Sequence, residues 1–241
     1  MPFTFSHPAL ILPVTLLPKK TYSLTGLVVG SMAPDFEYFI RMKTSGHFGH
    51  TLPGILCFDL PMGLVMAFSY HLLVRDTLTD HLPGWFQTRI HAFKDFDWIQ
   101  YMNRNWVIVM ISILFGTATH LFWDSFTHER GIFVQIIPGM CQQINILGYN
   151  ILLYSLLQYV STVAGGIVIL IAFYRLPKVN VPVNRNIYPY WLTLILISLI
   201  IIIIRIVLLS PDFHYHELII YTISAGMLGL MLTPLLMKNR I

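Results

Sequence analysis

Charge is what this sequence has least of. Its 241 residues include 15 Lys or Arg and 11 Asp or Glu, 11% of the chain, where a soluble globular domain carries roughly a quarter. That is too little charge to coat a water-facing surface, and lipid is the solvent that remains. Cysteine is nearly absent. Cys57 and Cys141 form neither a disulfide framework nor a CxxC metal site. No run of Lys and Arg interleaved with aromatics is present, so the formal charge of +4 does not read as nucleic-acid binding. It arises from a shortage of acids and from basic residues set between apolar stretches, an arrangement suited to an anionic membrane surface. Internal repeats are lacking, and the isoleucine run 200–204 is the only low-complexity tract. The opening MPFTFSHPALILPVTLLPKK has no basic leader and no A-x-A-like cleavage site after it, so it reads as retained sequence and not as a signal peptide.

Apolar length is abundant. Hydrophobic residues make up 56% of the chain and the mean hydropathy is +0.68. A helix needs about 20 mostly apolar residues to cross the hydrocarbon core. Five segments qualify: Gly54–Val74, Trp106–Phe126, Ile146–Tyr174, Tyr190–Leu209 and Glu217–Met237. The third is long enough to tilt or to extend beyond the bilayer. Ala9–Leu17 and Leu24–Ala33 are apolar but too short to cross and read as short helices, the second stopped by Pro34. The expected fold class is an all-α polytopic bundle of about five transmembrane helices, a single membrane domain over 1–241. In it, residues 1–53 form short N-terminal helices and a loop, and 54–237 form the bundle with a polar connection at 75–105. That connection holds Asp76, Asp80, His81, Arg89, His91, Lys94, Asp95 and Asp97, enough polarity for an amphipathic interfacial helix.

Basic residues give an orientation. With the second span starting inside, the inner segments collect Arg75, Arg89, Lys94, Arg104, Arg175, Lys178, Arg185, Lys238 and Arg240. The outer ones collect Lys19, Lys20, Arg41, Lys43 and Arg130.

Chemistry concentrates in His120-Leu-Phe-Trp-Asp124-Ser-Phe-Thr-His128 at the end of the second span. Steps of four residues advance only about 40° on an α-helix, so His120, Asp124 and His128 share a face. Ionisable groups at membrane depth normally face a bundle interior or a wet cavity. An imidazole and a carboxylate at i, i+4 can grip one cation, or they can serve as polar glue between helices. His128 lies about 12 Å beyond His120 along an ideal axis. All three therefore meet one ion only if the helix ends near Thr127, and otherwise two ions are implied.

The outer side also receives His7, directly before Pro8, and Asp35, which ends Gly30-Ser31-Met32-Ala33-Pro34-Asp35. His47 and His50 of Ser45-Gly46-His47-Phe48-Gly49-His50-Thr51 fall there, as do Asp212, His214, His216 and Glu217. Taken singly, His7 and Asp35 also suit helix caps, and His47 and His50 suit solvated loop positions. Asp59, early in the first span, and Arg205, late in the fourth, are charges near the same face. Arg205 suggests a carboxylate of the site or an anionic substrate group as partner, or snorkelling to the interface.

The stretches MPFTFSHPA, SLTGLVVGSMAPDFEYFIRM, HTLPGILCFDLP and HLFWDSFTH resemble an uncharacterised family of bacterial membrane proteins known as a domain of unknown function, over essentially the whole chain. The order His, Pro-Asp, His-Thr, His-x-x-x-Asp is similar, more distantly, to bacterial inner-membrane proteins described as metal-dependent hydrolases. It is also similar to zinc-dependent phospholipase C and P1-type nucleases. That resemblance implies metal ligation by His7, Asp35, His50, His120, Asp124 and His128, with Asp124 bridging two ions. The chain departs from the pattern in lacking an N-terminal Trp ligand and a later His-x-x-x-Asp or His-x-x-x-Glu pair, which points to a mono- or dinuclear site.

The resulting expectation is a membrane-bound hydrolase of the bacterial cytoplasmic membrane with its site at the external face. Its cofactor would be one or two divalent ions, Zn²⁺ on this His/Asp donor set. Asp124 would ligate or bridge, and Asp35 would ligate or orient a histidine. His47, Asp59 and Arg205 would stand behind the ligands or near a lipid or lipid-linked phosphoester or ester substrate. A metal-stabilised scaffold without turnover and a small transporter are the alternatives. The transporter would usually show repeat symmetry, which the sequence lacks.

Overall fold

The computed structural model describes residues 3–94, 96–184, 186–209 and 217–237. Helices dominate: α1 Leu24–Gly30, α2 Phe36–Arg41, α3 Leu52–His81, α4 Gly84–Ile90, α5 Trp98–Thr127, α6 Ile132–Ile136, α7 Leu153–Tyr174, α8 Tyr188–Leu209 and α9 Leu218–Met237. Of these, α3, α5, α7, α8 and α9 are long and apolar enough to span a bilayer. The chain is thus an all-α bundle with the composition and helix lengths of a membrane protein.

Hydropathy locates the spans, and local chemistry shifts their ends. The third span starts at Leu153, not at Ile146. Residues Gln143–Ile146 (β1) and Tyr149–Leu152 (β2) pair as an antiparallel hairpin. Its two turn residues, Leu147 and Gly148, both take positive φ, 52° and 88°, the backbone that two-residue hairpins require. The polar connection is not one interfacial helix. Arg75–His81 continues the first span, Gly84–Ile90 forms a helix of its own, and the second span begins at Trp98. The first apolar run falls within a 3₁₀ helix, Thr4–Leu16, with Pro8 and Pro13 inside it. Each proline removes an N–H and clashes with the preceding turn of an α-helix, so a tighter winding takes its place. In α3, the turn Ile55–Asp59 is π-helical and lies just before Pro61, which has no N–H to offer the carbonyl four residues back.

Two compact units emerge, each gathered from separated stretches. One comprises 1–35, 48–64 and 105–175, the other 36–47, 65–104 and 176–241. In the first, α1 packs on α5 by close backbone approach. A Cβ on Gly30 would stand 2.1 Å from the Ile113 carbonyl oxygen, and one on Gly116 would stand 2.4 Å from that of Leu27. Small residues permit such contact between membrane helices. Polar bonds reinforce it: Ser23 N–H donates to Ser112 Oγ at 2.8 Å and Thr117 Oγ1 to the Gly30 carbonyl at 3.2 Å. Along α5, Val109, Ser112, Ile113, Gly116, Thr117, His120, Asp124 and Thr127 are all buried, whereas Ile111, Phe115 and Phe122 are exposed. One face of α5 is therefore protein-facing and carries the His/Asp pair.

In the second unit, α8 and α9 pack through Gly229 and Ser198, whose hydroxyl donates to the Ala225 carbonyl at 3.2 Å. Trp191 Nε1 donates to the His81 carbonyl at 2.7 Å, and Ser224 Oγ to that of Phe39 at 2.8 Å.

Candidate metal centre

All the closely grouped imidazoles and carboxylates belong to the first unit. His120 and Asp124 come from the buried face of α5. Asp35 ends the 3₁₀ turn Ala33–Asp35 that follows α1. His50 ends the turn Phe48–His50, immediately before Thr51, whose hydroxyl accepts from Gly54 N–H at 3.1 Å and caps the start of α3. His7 comes from the N-terminal 3₁₀ helix. Gly49 packs against the Pro34 carbonyl, and Asp59 Oδ1 lies 3.1 Å from where a Gly49 Cβ would be. The buried Asp59 thus abuts the turn that presents His50.

Asp35, His50, His120 and Asp124 place one ligand atom each within 4.8 Å of one another, a set able to hold a metal ion. Four of the six edges of this figure are close to uniform. Asp124 Oδ2 lies 3.3 Å from His120 Nε2 and 3.5 Å from His50 Nε2. Asp35 Oδ1 lies 3.6 Å from each of the same two nitrogens. Tetrahedral donors about 2.0–2.1 Å from a zinc ion stand about 3.4 Å apart, so four edges match such a shell within a few tenths of an ångström.

Asp124 faces a second group with its other oxygen. His7 Nε2 and His128 Nδ1 both lie 3.5 Å from Oδ1. The His7 ring stacks on that of His120 with centroids 3.8 Å apart. The α-helix does end at Thr127, which is what lets His128 turn back. Its Nδ1 also lies 3.2 Å from the Asp124 carbonyl oxygen. The sequence-proposed ligands His7, Asp35, His50, His120, Asp124 and His128 are therefore brought together, the inner four around one point and the other two beside Asp124.

Hydrogen bonding separates atoms that point outward from atoms that point in. His120 Nδ1 is 2.7 Å from the Ser31 carbonyl. Only a protonated Nδ1 can donate to it, so in the neutral ring Nε2 carries a lone pair toward the cluster. Asp35 Oδ2 accepts from the Thr4 hydroxyl. None of Asp35 Oδ1, His120 Nε2, the two Asp124 carboxylate oxygens and the two His7 ring nitrogens has a well-formed hydrogen bond among the described residues, where their polar contacts are imidazole–carboxylate ones of 3.3–3.6 Å. Asp35 and His120 are fully buried, and His7 and Asp124 nearly so. Two carboxylates buried together are expensive without compensating positive charge. Their ion-pair partners among the described residues are all imidazoles, and a divalent ion is a further source of positive charge that this group could hold. His50, with 19% of its side chain exposed, and His128, with 31%, are the accessible edge.

Protonation follows the same geometry. Burial, aided by neighbouring His120, lowers His7 to about 3 and keeps its imidazole neutral. Burial also works against charge on His50, but hydrogen bonding to Asp124 and Asp35 and the charge of both outweigh it and raise His50 to about 9. Burial tends to raise Asp35, yet the charge of His120 and the His50 hydrogen bond hold it below the ordinary carboxylate value.

The remaining sequence candidates sit elsewhere. His47 Nδ1 lies 3.5 Å from the Tyr38 hydroxyl and is not a member of the cluster. Arg205 donates to the Met42 carbonyl at 3.3 Å and lies over the Tyr221 ring, so a backbone oxygen and an aromatic face are among its partners. Glu217 accepts from the Tyr221 hydroxyl at 2.6 Å. Asp212, His214 and His216 lie outside the described residues. Sequence reading missed Thr4 and Ser31. The only hint is that Thr4 stands three residues before His7 on a helix of three residues per turn.

The profile of a domain of unknown function, DUF4184, matches residues 1–237. The chain belongs to that family. No curated protein and no solved structure matches it. The DUF4184 description names no activity, so the chemistry of this DUF4184 chain has to be argued from the cluster itself.

Proposed function

We propose that this DUF4184 chain is a membrane-bound, metal-dependent hydrolase of a phosphoester or ester at the external face of the bacterial cytoplasmic membrane. The observation that carries the reading is the close set of donor atoms on Asp35, His50, His120 and Asp124, four of whose separations match a zinc shell. Imidazole and carboxylate donors without thiolate suit Zn²⁺. Such an ion, when bound, lowers the pKa of water and polarises a phosphoryl or acyl oxygen. The chain's own contribution is positional. The Ser31 carbonyl fixes the tautomer of His120, and the Thr4 hydroxyl holds one Asp35 oxygen so that the other faces inward. Asp124 offers its second oxygen toward His7 and His128, where a second ion would make it a bridge. The accessible edge at His50 and His128 is where water would reach the site.

One feature favours a different reading. Four protein ligands close a tetrahedron, as in structural zinc sites, whereas catalytic sites keep a position open. A single ion here without coordination change would serve as a staple joining α5 to the turns Ala33–Asp35 and Phe48–His50, and the protein would be a scaffold.

The test has two steps. Metal analysis of the detergent-purified chain should give bound metal in the wild type and loss of it in His120→Ala and Asp124→Ala. Equal content in all three would remove the ligand assignment. Turnover of phosphodiester and ester substrates, abolished by a chelator, then marks a hydrolase. Metal without turnover on soluble or lipid substrates marks the scaffold.

A further inference from the structure

An apolar groove of about 340 Å³ runs between the N-terminal 3₁₀ helix, α5 and α7, and His7 is one of its walls. Leu10, Trp123, Leu157, Val160, Ala164 and Val168 supply most of the rest. Ser6 and Ser161 also line it, but their hydroxyls are engaged. Ser6 Oγ donates to the Thr162 carbonyl at 2.9 Å and Ser161 Oγ to that of Gln158 at 3.0 Å. The groove therefore asks for methylenes along its length. Its form is built in by sequence. A Cβ on Gly165 would stand 2.9 Å from both Ser6 Cβ and the Ser6 carbonyl oxygen, so glycine lets α7 close on the N-terminal helix at that level. Small Ala164 beside it leaves the space open.

Polarity changes at one wall only. His7 touches the groove, stacks on His120 and lies 3.5 Å from Asp124 Oδ1. Neither ring nitrogen has a well-formed hydrogen bond among the described residues, and the residue is 3% exposed. An apolar trough that meets a cation-binding cluster through a single imidazole matches an amphiphile. An ion held by carboxylate and imidazole takes oxygen ligands readily, so the headgroup that fits is an oxyanion.

We propose that the groove seats a hydrocarbon chain of a lipid phosphoester whose phosphate is presented to the His/Asp cluster. The inference rests on the hydrolase reading and narrows its substrate to a membrane-resident lipid with an anionic phosphoester head. Charge and apolarity are then recognised at two adjoining places by different parts of the first unit.

The test uses the full chain, metal-loaded, in nanodiscs of neutral phosphatidylcholine. The probe is phosphatidic acid with a diazirine in one acyl chain, and diacylglycerol with the same chain is the control. Light should attach the phosphatidic acid probe to Leu157, Val160, Ala164 or Val168, with labelling at least about fivefold above the control. Ala164→Phe, or Val160→Phe should the first variant fold poorly, should cut that labelling by at least about fivefold, since a ring set into the groove excludes the chain. Metal content should stay at the wild-type level in both. Equal labelling of the exposed Ile111 and Phe115 side of α5, unchanged by the groove variants, means annular lipid only and overturns the proposal. Groove labelling that ignores the phosphate, in a protein that holds its metal, overturns the headgroup assignment and leaves the hydrolase reading standing. A metal-free wild type removes the hydrolase reading itself, and the phosphoester assignment with it.

Discussion

His120 Nε2 lies 3.3 Å from Asp124 Oδ2, one helical turn further along α5, and both residues are buried in protein. Neither atom has a well-formed hydrogen bond among the described residues. An ion bound by both atoms would satisfy the pair.

Removing either partner should therefore cost more than one contact. Asp124→Asn keeps the size of the side chain and removes its charge, so bound metal should drop by at least about tenfold, while the helical circular dichroism should be unchanged because the rest of the α5 packing is untouched. Metal content by mass spectrometry reads the first effect. Unaltered metal would mean that Asp124 is polar glue.

The Thr4 hydroxyl touches no inward-facing atom, yet it holds Asp35 Oδ2. Thr4→Val is isosteric and lacks the donor. Metal affinity should fall about 10–100-fold, the range for loss of a partner behind a ligand. Competition against a calibrated chelator measures it, and affinity equal to wild type would place Asp35 outside the ligand set.

His50 supplies a pH signature. Its Nε2 lies between oxygens of Asp35 and Asp124, which raise it to about 9 in the metal-free protein. That proton must leave before the nitrogen can ligate. The association constant should thus climb about tenfold per pH unit from neutrality toward pH 9 and flatten above it. Metal-free stability runs the other way. The raised folded value stabilises fully below the unfolded pKa of His50, and the contribution is lost as pH rises through about 9. Titration calorimetry across this window tests the first sign and thermal unfolding the second.

Gly116 tests the packing beneath the site. An exposed helical glycine changed to alanine gains about 1 kcal/mol of helix propensity. Here the new Cβ would meet the Leu27 backbone oxygen at 2.4 Å, and no rotamer relieves a clash with backbone. Gly116→Ala should therefore destabilise by about 1–3 kcal/mol, seen as a lowered unfolding midpoint in detergent. Gly226→Ala, with nothing within 4 Å of its added Cβ, is the control and should not lower the midpoint.

The orientation drawn from Lys and Arg placement puts Ser45 outside. A single cysteine at Ser45, in a background freed of Cys57 and Cys141, should react with an impermeant maleimide added to intact cells. Reaction only after the inner face is opened reverses the topology.

Much of this was legible in the sequence because the physics involved is local. Hydropathy marks the spans, and four-residue spacing puts His120 and Asp124 on one face. The stop at Pro34 marks Asp35 as the end of a short element, whereas His50 read only as a loop residue just before the first span. Their convergence on one point is tertiary, and charge placement indicated only a shared side. Other features were hidden for identifiable reasons. The hairpin 143–152 runs straight into the apolar stretch of α7, and its polar Gln143, Asn145 and Asn150 are too few to break the hydropathy that merged it with the third span. Ser31 acts through a carbonyl that every residue possesses. For Arg205 the sequence left a carboxylate, an anionic substrate group and snorkelling open, and the Met42 carbonyl and the Tyr221 ring are among the partners it has.

X-ray absorption at the zinc edge of the zinc-loaded, detergent-purified chain bears most directly on whether Asp35, His50, His120 and Asp124 enclose an ion. Nitrogen and oxygen neighbours at about 2.0–2.1 Å, with outer-shell scattering from imidazole rings that weakens in His120→Ala, is the result expected. A shell of water oxygens alone, the same in wild type and variant, would contradict it.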